Sequence, residues 1–492
     1  MYKIIAKRSI ALLIVLAFML ALFSCATDTE DKKDDAPDAQ NQTDETQDTT
    51  ELSDGLPDID MQGYEFNIFN FDTSWFTWGN TRILAEEENG DIVNDALYRR
   101  RIEIEERFNC VLKTVEIADT TDSFKKNVTA GDNTYQLYSI YDQNFGALLP
   151  YMADCNELPY LRIDEKHWNP NATSIYNLAG KQFALAGNVS MSVVNTAICL
   201  IFNKKIYQNY YAGESMYEMV RDNKWTLDKF LEIASSIGKD TSGDGQWGPT
   251  DLYGISSSFK GYIGPLLTGT GTGFTKIGDD GRPTFNLHQN EQAIGVVTKL
   301  MDYINKPGFN YNEDVEVWYQ TPDLFEPGNA LFGIIATRSV DTLRVMEDDI
   351  GILPLPKLSE SQERFYTPAF GNSLWAIPKT IDFESEGENI GLILEALSFA
   401  GYYDIIPQFK EVVLKTKSAR DNESADMLDI IFDSVIFNFD MNILYDSTIQ
   451  MTILPAMWKD RSAGSIISIC EKNTNTIERY ISDFYKSIDK AQ

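Results

Sequence analysis

The 492-residue chain holds only two histidines, His167 and His288, far apart in sequence. They lack the close spacing of a metal-binding pair, and neither stands in a telling context for activating a serine. The five cysteines, Cys25, Cys110, Cys155, Cys199 and Cys470, include no C-x-x-C. That excludes a zinc ribbon or a thioredoxin-like redox motif and speaks against a dense disulfide framework, so the last four are expected to be buried free thiols. G-x-S-x-G, H-E-x-x-H and G-x-x-x-x-G-K-S/T do not occur, which removes the common hydrolase, zinc-protease and nucleotide-binding signatures. Positive charge is scarce as well: 42 Lys and Arg face 74 Asp and Glu, a net charge of −32. Nucleic acid, whose phosphates need Lys and Arg, is therefore not the partner. Carboxylates are abundant, and a glycoside hydrolase needs only two of them, so that class of enzyme stays open.

One hydrophobic run stands out. Ile10 to Phe23 is almost wholly apolar, follows Lys3, Lys7 and Arg8, and ends at Ser24-Cys25. A basic segment before an apolar one shorter than the roughly 20 residues of a spanning helix reads as a secretory signal. Leu22-Phe23-Ser24-Cys25 resembles the lipobox of bacterial lipoproteins, although Phe23 is bulkier than usual there. The resemblance implies a signal peptide at 1–24 and a mature N-terminus at Cys25 that carries lipid. The alternative, an uncleaved anchor helix, leaves the protein on the same membrane face. Residues 25–60 are mostly Asp, Glu, Thr, Gln and Ala, with almost no large apolar side chain. Such a tract cannot bury enough surface to offset its chain entropy, and its like charges extend it. It is expected to be a disordered tether.

Roughly 430 residues follow, enough for two domains with their own cores. YEFNIFNF (64–71) reads as a strand, and the spacing of Val93, Leu97, Ile104 and Phe108 predicts a helix from about Ile92 to Phe108 that ends near Asn109. CVLKTVEI (110–117), a helix over 121–130 and YQLYSIYD (135–142) continue the series. That β-α-β-α-β order predicts a parallel sheet with crossover helices. A second series runs through strands at 196–205, 252–258, 330–339, 349–357 and 372–380, with a helix opening at the N-cap Thr226. From about Asn389 the chain reads as mostly amphipathic helix.

FNKKIY after an apolar strand, NKWTLDKFLEIA, DTSGDGQWGPTDLYGI, and DIGILPLPK followed by NSLWAIPKT occur in that order. Together with NDALYRRRIEIEERFNC they resemble the extracellular solute-binding proteins, family 1, the sugar-binding lipoproteins of ABC importers. The likeness covers most of 62–480. It implies an α/β, periplasmic-binding-protein-like type II fold: two α/β lobes, a hinge and a helical C-terminal part. Lobe 1 would run over 61–192, lobe 2 over 193–367, a return segment over 368–400, and helices completing the lobes over 401–492. The chain would cross between lobes near 188–197 and return near 365–371. A carbohydrate would be held between the lobes and passed to a membrane permease, with no catalysis. Peptides or other organic solutes are the alternative cargo, and a surface-anchored glycoside hydrolase or an adhesion protein the alternative activities.

Ligands of open α/β sheets bind at the carboxyl ends of the strands. That places Trp75, Trp78, Tyr141, Asp142, Gln143 and Asn144 at one crevice, with Tyr262, Phe370 and Trp375 near other strand ends or crossings. Aromatic faces suit the C–H faces of sugar rings, and carboxylates and amides suit their hydroxyls. Filling the core is the plainer role for each aromatic taken alone. Arg338 follows a strand and could donate a forked pair to a hydroxyl or carboxylate, or form a salt bridge at the lobe edge. The run Gly269, Gly271, Gly273 does not match a dinucleotide fingerprint and reads as a loop at the cleft. In DTSGDGQWGPTD, Asp240, Ser242, Asp244, Gln246 and Asp251 match a calcium loop, except that Asp replaces the final Glu. A structural Ca2+ or a metal-free Asx-Gly turn both fit. No other cofactor is required.

Overall fold

The computed structural model describes residues 53–492 other than 73–80, 119, 212, 279–281, 312–323, 415–421, 444–448 and 492. The expected signal, lipidation site and most of the tether, with Trp75 and Trp78, lie outside the described residues. Strand β1 (Tyr64–Phe71) leads to helix α1 (Ile92–Phe108), strand β2 (Cys110–Ile117), helix α2 (Thr120–Ala130) and strand β3 (Leu137–Tyr141). Asp91 caps α1 by accepting from the Asn94 amide, and Asn109 closes it in the left-handed region at φ 47°, a conformation Asn tolerates better than most residues. β1 pairs with β2 and with β3, both parallel.

The second sheet is built from β4 (Ile198–Asn203), β5 (Tyr253–Ser256), β6 (Asn310–Tyr311), β7 (Ala330–Ala336) and β8 (Ile350–Leu353), in the order β6-β5-β7-β4-β8. Helix α3 (Leu227–Ile237) is capped by the Thr226 hydroxyl, which accepts from the Lys229 amide. Helix α4 (Phe259–Gly269) leaves the end of β5. β5, β6 and β7 are parallel, whereas β4 runs antiparallel to β7 and β8. Strand β9 (Ser373–Ala376) returns to the first sheet, antiparallel to β3, giving the order β9-β3-β1-β2. A β-α-β reading predicts only the parallel pairs. The antiparallel partners depend on where a distant segment returns, which periodicity does not encode.

Two connecting segments run side by side between the sheets. Ala197 bridges Ala369, and Leu185 exchanges backbone hydrogen bonds with Trp375. Thr196 bonds the Asn372 side chain across the pair. Beyond them lie helix α5 (Phe383–Ala400) and helix α6 (Ile466–Ala491). With the π turn and helix after it, α5 forms an apolar run over Phe383–Val413, long enough to cross a membrane, yet 61% of its most apolar window is buried inside the protein. It is a core helix, and two glycines let it sit close. A Cβ at Gly391 would fall 1.9 Å from the Pro159 carbonyl oxygen, and one at Gly401 1.7 Å from that of Asn188. The 435–436 segment, expected to continue a helix, instead pairs as a short strand with Thr367–Pro368. Cys110, Cys155, Cys199 and Cys470 are free and buried, and burial pushes each thiol up to about 12.

Candidate functional site

The carboxyl ends of β1 and β3 in the first sheet, and of β5, β6 and β7 in the second, define the crevice where an α/β sheet offers loops and helix starts to a ligand. Tyr141 ends β3 and is half-buried. Arg338 stands two residues beyond β7 and is also half-buried. The two meet electrostatically: desolvation pulls the Arg338 guanidinium down to about 10, and Tyr141 acts in the opposite direction. This pair joins the end of the first sheet to the end of the second. Among the described residues Arg338 has no hydrogen bond, and no carboxylate pairs with it. Gln143 is half-buried in the turn after β3. Lys260, buried to 4%, lies at the start of α4 just past β5. Reading the residues that follow 252–258 as a strand end would have found Lys260.

The other expected ligand residues have different roles. Asp142 is wholly buried, and its Oδ2 accepts from the Asn372 amide (3.0 Å), Asn372 Nδ2 (3.1 Å) and Asn442 Nδ2 (3.2 Å). Burial raises its pKa to about 6 against those hydrogen bonds. It ties the end of β3 to the return crossing and to the C-terminal part through Oδ2, while its buried Oδ1 has no partner among the described residues. Asn372 and Asn442, the residues that complete this joint, carry no sequence signal; only their placement 230 and 300 residues from Asp142 reveals them. Asn144 donates to the Thr121 hydroxyl at 2.9 Å. Trp375 is 1% exposed because β9 is antiparallel: its register sets Trp375 beside Ser139, inside the sheet and away from the strand end. Tyr262 lies one turn into α4, fully buried, with its ring 6.0 Å from that of Phe309. Phe370 is buried on the return crossing.

The 240–251 loop has its own hydrogen bonds. Asp240 accepts from the amides of Gly243 (2.6 Å) and Gly245 (2.9 Å), and Asp244 from that of Gln246 (2.7 Å). Asp251 accepts from the amides of Thr241, Ser242 and Gly248 at 3.0, 3.1 and 2.8 Å. These amide donors hold Asp240 and Asp251 below the usual carboxylate range. Among the described residues no group of three or more His, Cys, Asp or Glu is placed to hold a metal. The hydrogen bonds of Asp240, Asp244 and Asp251 are those of an Asx-Gly turn.

A separate recess of about 510 Å³ is lined by Gly271, Tyr366, Phe437, Phe439, Asp440 and Tyr485, among others. It borders the carboxyl end of α4, whose 11 residues span about 16 Å, and so lies away from the end of β5. A Cβ at Gly271 would come 2.8 Å from the Tyr366 ring. The glycine run is therefore packed against this recess, which Asn177 and Leu178 also line.

No protein-family model matches the chain, and no curated protein matches it. Solved structures do. The cyclic α-maltosyl-1,6-maltose binding protein from Arthrobacter globiformis aligns at TM-score 0.55 and 12% identity, over 84% of this chain and 99% of that one. The apo form of RafE from Streptococcus pneumoniae aligns at TM-score 0.52 and 15% identity, over 84% of this chain and 98% of that one. At such identities the likeness fixes architecture alone. The chain has the periplasmic-binding-protein-like type II fold, two α/β lobes with a helical C-terminal part.

Proposed function

We propose that the chain is an extracytoplasmic solute-binding protein that captures a mono- or oligosaccharide between its two lobes and delivers it to an ABC import permease. It is held on the outer face of a bacterial cell membrane through lipid on Cys25. The observation that carries this reading is the crevice itself, where Tyr141 of one lobe acts electrostatically on Arg338 of the other. A ligand that touches both lobes favours the closed arrangement and makes closure the signal a permease can read. An aromatic ring, an amide and a guanidinium supply the apolar face and the forked donors a sugar needs. The two structural neighbours fit this reading, one of them being named for the cyclic saccharide it binds. Among the described residues Asp142, the carboxylate that follows β3, has its Oδ2 engaged by Asn372 and Asn442. The reading is of binding without turnover, which recovery of intact sugar tests.

The test is a thermal-shift screen of the full chain against saccharides and short peptides. A ligand at 100 times its Kd stabilises the folded state by about 2.7 kcal/mol, enough to raise Tm by several degrees. A shift with saccharides that are recovered intact is expected. Cleaved sugar would move the protein to the glycoside hydrolases, and shifts with peptides alone would replace the cargo.

A further inference from the structure

The recess at the carboxyl end of α4 holds a carboxylate that is met on one side only. Asp440 lines it and is 2% exposed. Its Oδ2 accepts from the amides of Phe274 (2.8 Å) and Thr275 (3.1 Å), while its Oδ1 is buried with no hydrogen bond among the described residues. A buried carboxylate oxygen without a donor is costly to the fold. Burial pushes the carboxyl above its ordinary range, against the hydrogen bonds from Phe274 and Thr275. The walls around it come from three distant stretches, 174–178, 268–277 and 436–440, with Tyr366 and Tyr485. Phe437 and Phe439 give them apolar faces, and Thr272 and Asn177 add a hydroxyl and an amide. The glycine run shapes the space. A Cβ at Gly271 would meet the Tyr366 ring, and one at Gly273 would come 3.1 Å from Asp440 Oδ2, so the loop lies against both only because these positions carry no side chain. The volume of about 510 Å³ falls within the roughly 300–1,000 Å³ of small-molecule sites. Arg282 already lies over the Tyr485 ring, 4.8 Å from its centroid, and Arg364 over that of Tyr366 at 5.0 Å. Two cations on those rings disfavour an organic ammonium. They favour a neutral ligand with apolar faces and hydroxyl donors.

We propose that this recess is a second ligand site, taking a neutral sugar of one or two rings whose hydroxyl donates to Asp440 Oδ1 while a ring face lies on Phe437 or Phe439. It stands at the other end of α4 from β5, about 16 Å along the helix. The site therefore goes beyond the capture of cargo in the crevice and does not depend on it.

The experiment is hydrogen-exchange mass spectrometry of the full chain with millimolar glucose, galactose, maltose, lactose or choline. At least one sugar is expected to slow exchange over 268–277 and 436–440. Asn177→Trp, at an exposed position on the rim, fills the recess and should abolish that slowing. Asp440→Asn keeps an oxygen for the two amides but replaces the free acceptor, and should weaken the sugar about 10-fold or worse. Both ligand-free variants should melt near the parent, which separates lost binding from lost folding. Any slowing around the crevice, over 137–144 and 330–340, should persist in both. Slowing confined to the crevice, or slowing over 268–277 that survives both substitutions, would overturn the second site and leave the crevice reading standing. Slowing at the recess with none at the crevice would support the second site and count against the crevice reading. Protection of the recess by choline in place of every sugar would overturn the neutral ligand, and no change there with any compound would overturn the site.

Discussion

Two desolvated charges, one in the body of the first lobe and one at the cleft, are treated in opposite ways. Glu395 of α5 is wholly buried and accepts four hydrogen bonds: from His167 Nε2 (2.7 Å), Trp168 Nε1 (2.6 Å), and the backbone amide (3.1 Å) and Nε (2.7 Å) of Arg162. Burial alone would raise its pKa, but these donors, His167 foremost, outweigh it and hold the carboxyl below the usual range. Arg338 has desolvation with no such relief. A charge that serves the fold is surrounded by partners from its own chain, here drawn from residues more than 220 positions away. Arg338, at the meeting of the two lobes, has no such set of partners among the described residues. Asp142, also wholly buried, stands between the two: its Oδ2 accepts three hydrogen bonds and its Oδ1 none among the described residues.

The largest effect is expected at Glu395. Glu395→Ala would leave Trp168, His167 and Arg162 without their shared acceptor and should cost about 3–5 kcal/mol, read as a fall in the denaturant midpoint. A loss under 1 kcal/mol would erase the distinction between the two charges. Asp142 comes next, through pH. Its folded-state pKa of about 6 lies above the ordinary 3.8, so between those values the folded protein keeps a proton that the unfolded chain has released. Stability should therefore fall by about 3 kcal/mol in all as pH rises from about 3 to about 7, about 2 of it between pH 4 and 6. Asp142→Asn keeps an oxygen for the three donors and should remove this fall. Unfolding titrations of both proteins across that window would diverge, and parallel curves would return Asp142 to an ordinary carboxylate. Glu395 pulls the other way, its lowered pKa giving stability that is lost as pH drops below the usual carboxylate range. The smallest effect is expected at the 240–251 loop. With Asp240 and Asp251 engaged by loop amides, calcium or a chelator should move Tm by less than about 1 °C, whereas specific binding would raise it with calcium concentration.

The elements were legible where a local rule governed them. β1, α1 and β2 fall at the residues their apolar spacing gives, and Asn109 and Thr226 occupy the cap positions their side chains suit. Parallel pairing in the first lobe followed from strand and helix order. The antiparallel β9 did not, and with it went the placing of Trp375 at the cleft. Proximity to a strand end located Tyr141, Gln143 and Arg338. It could not say that Asp142 would be met by Asn372 and Asn442, or that His167 and Trp168 would share Glu395. Both are consequences of long-range closure, and no window of sequence contains both partners. The calcium-loop spacing was real, but the same residues also satisfy their own turn, and spacing alone does not choose between the two.

The return of β9 also bears on biogenesis. The second sheet is complete once residues 198–353 are present, whereas the first, begun at residue 64, stays one strand short until 373–376 arrive. Order of synthesis and order of completion are therefore reversed between the lobes. A chain emerging from its N-terminus exposes an unfinished edge at β3 from residue 141 until residue 373, and pairings of such long sequence separation are slow to form. The lobe that starts first is the one that must wait, and it is the lobe on which a holding chaperone would act.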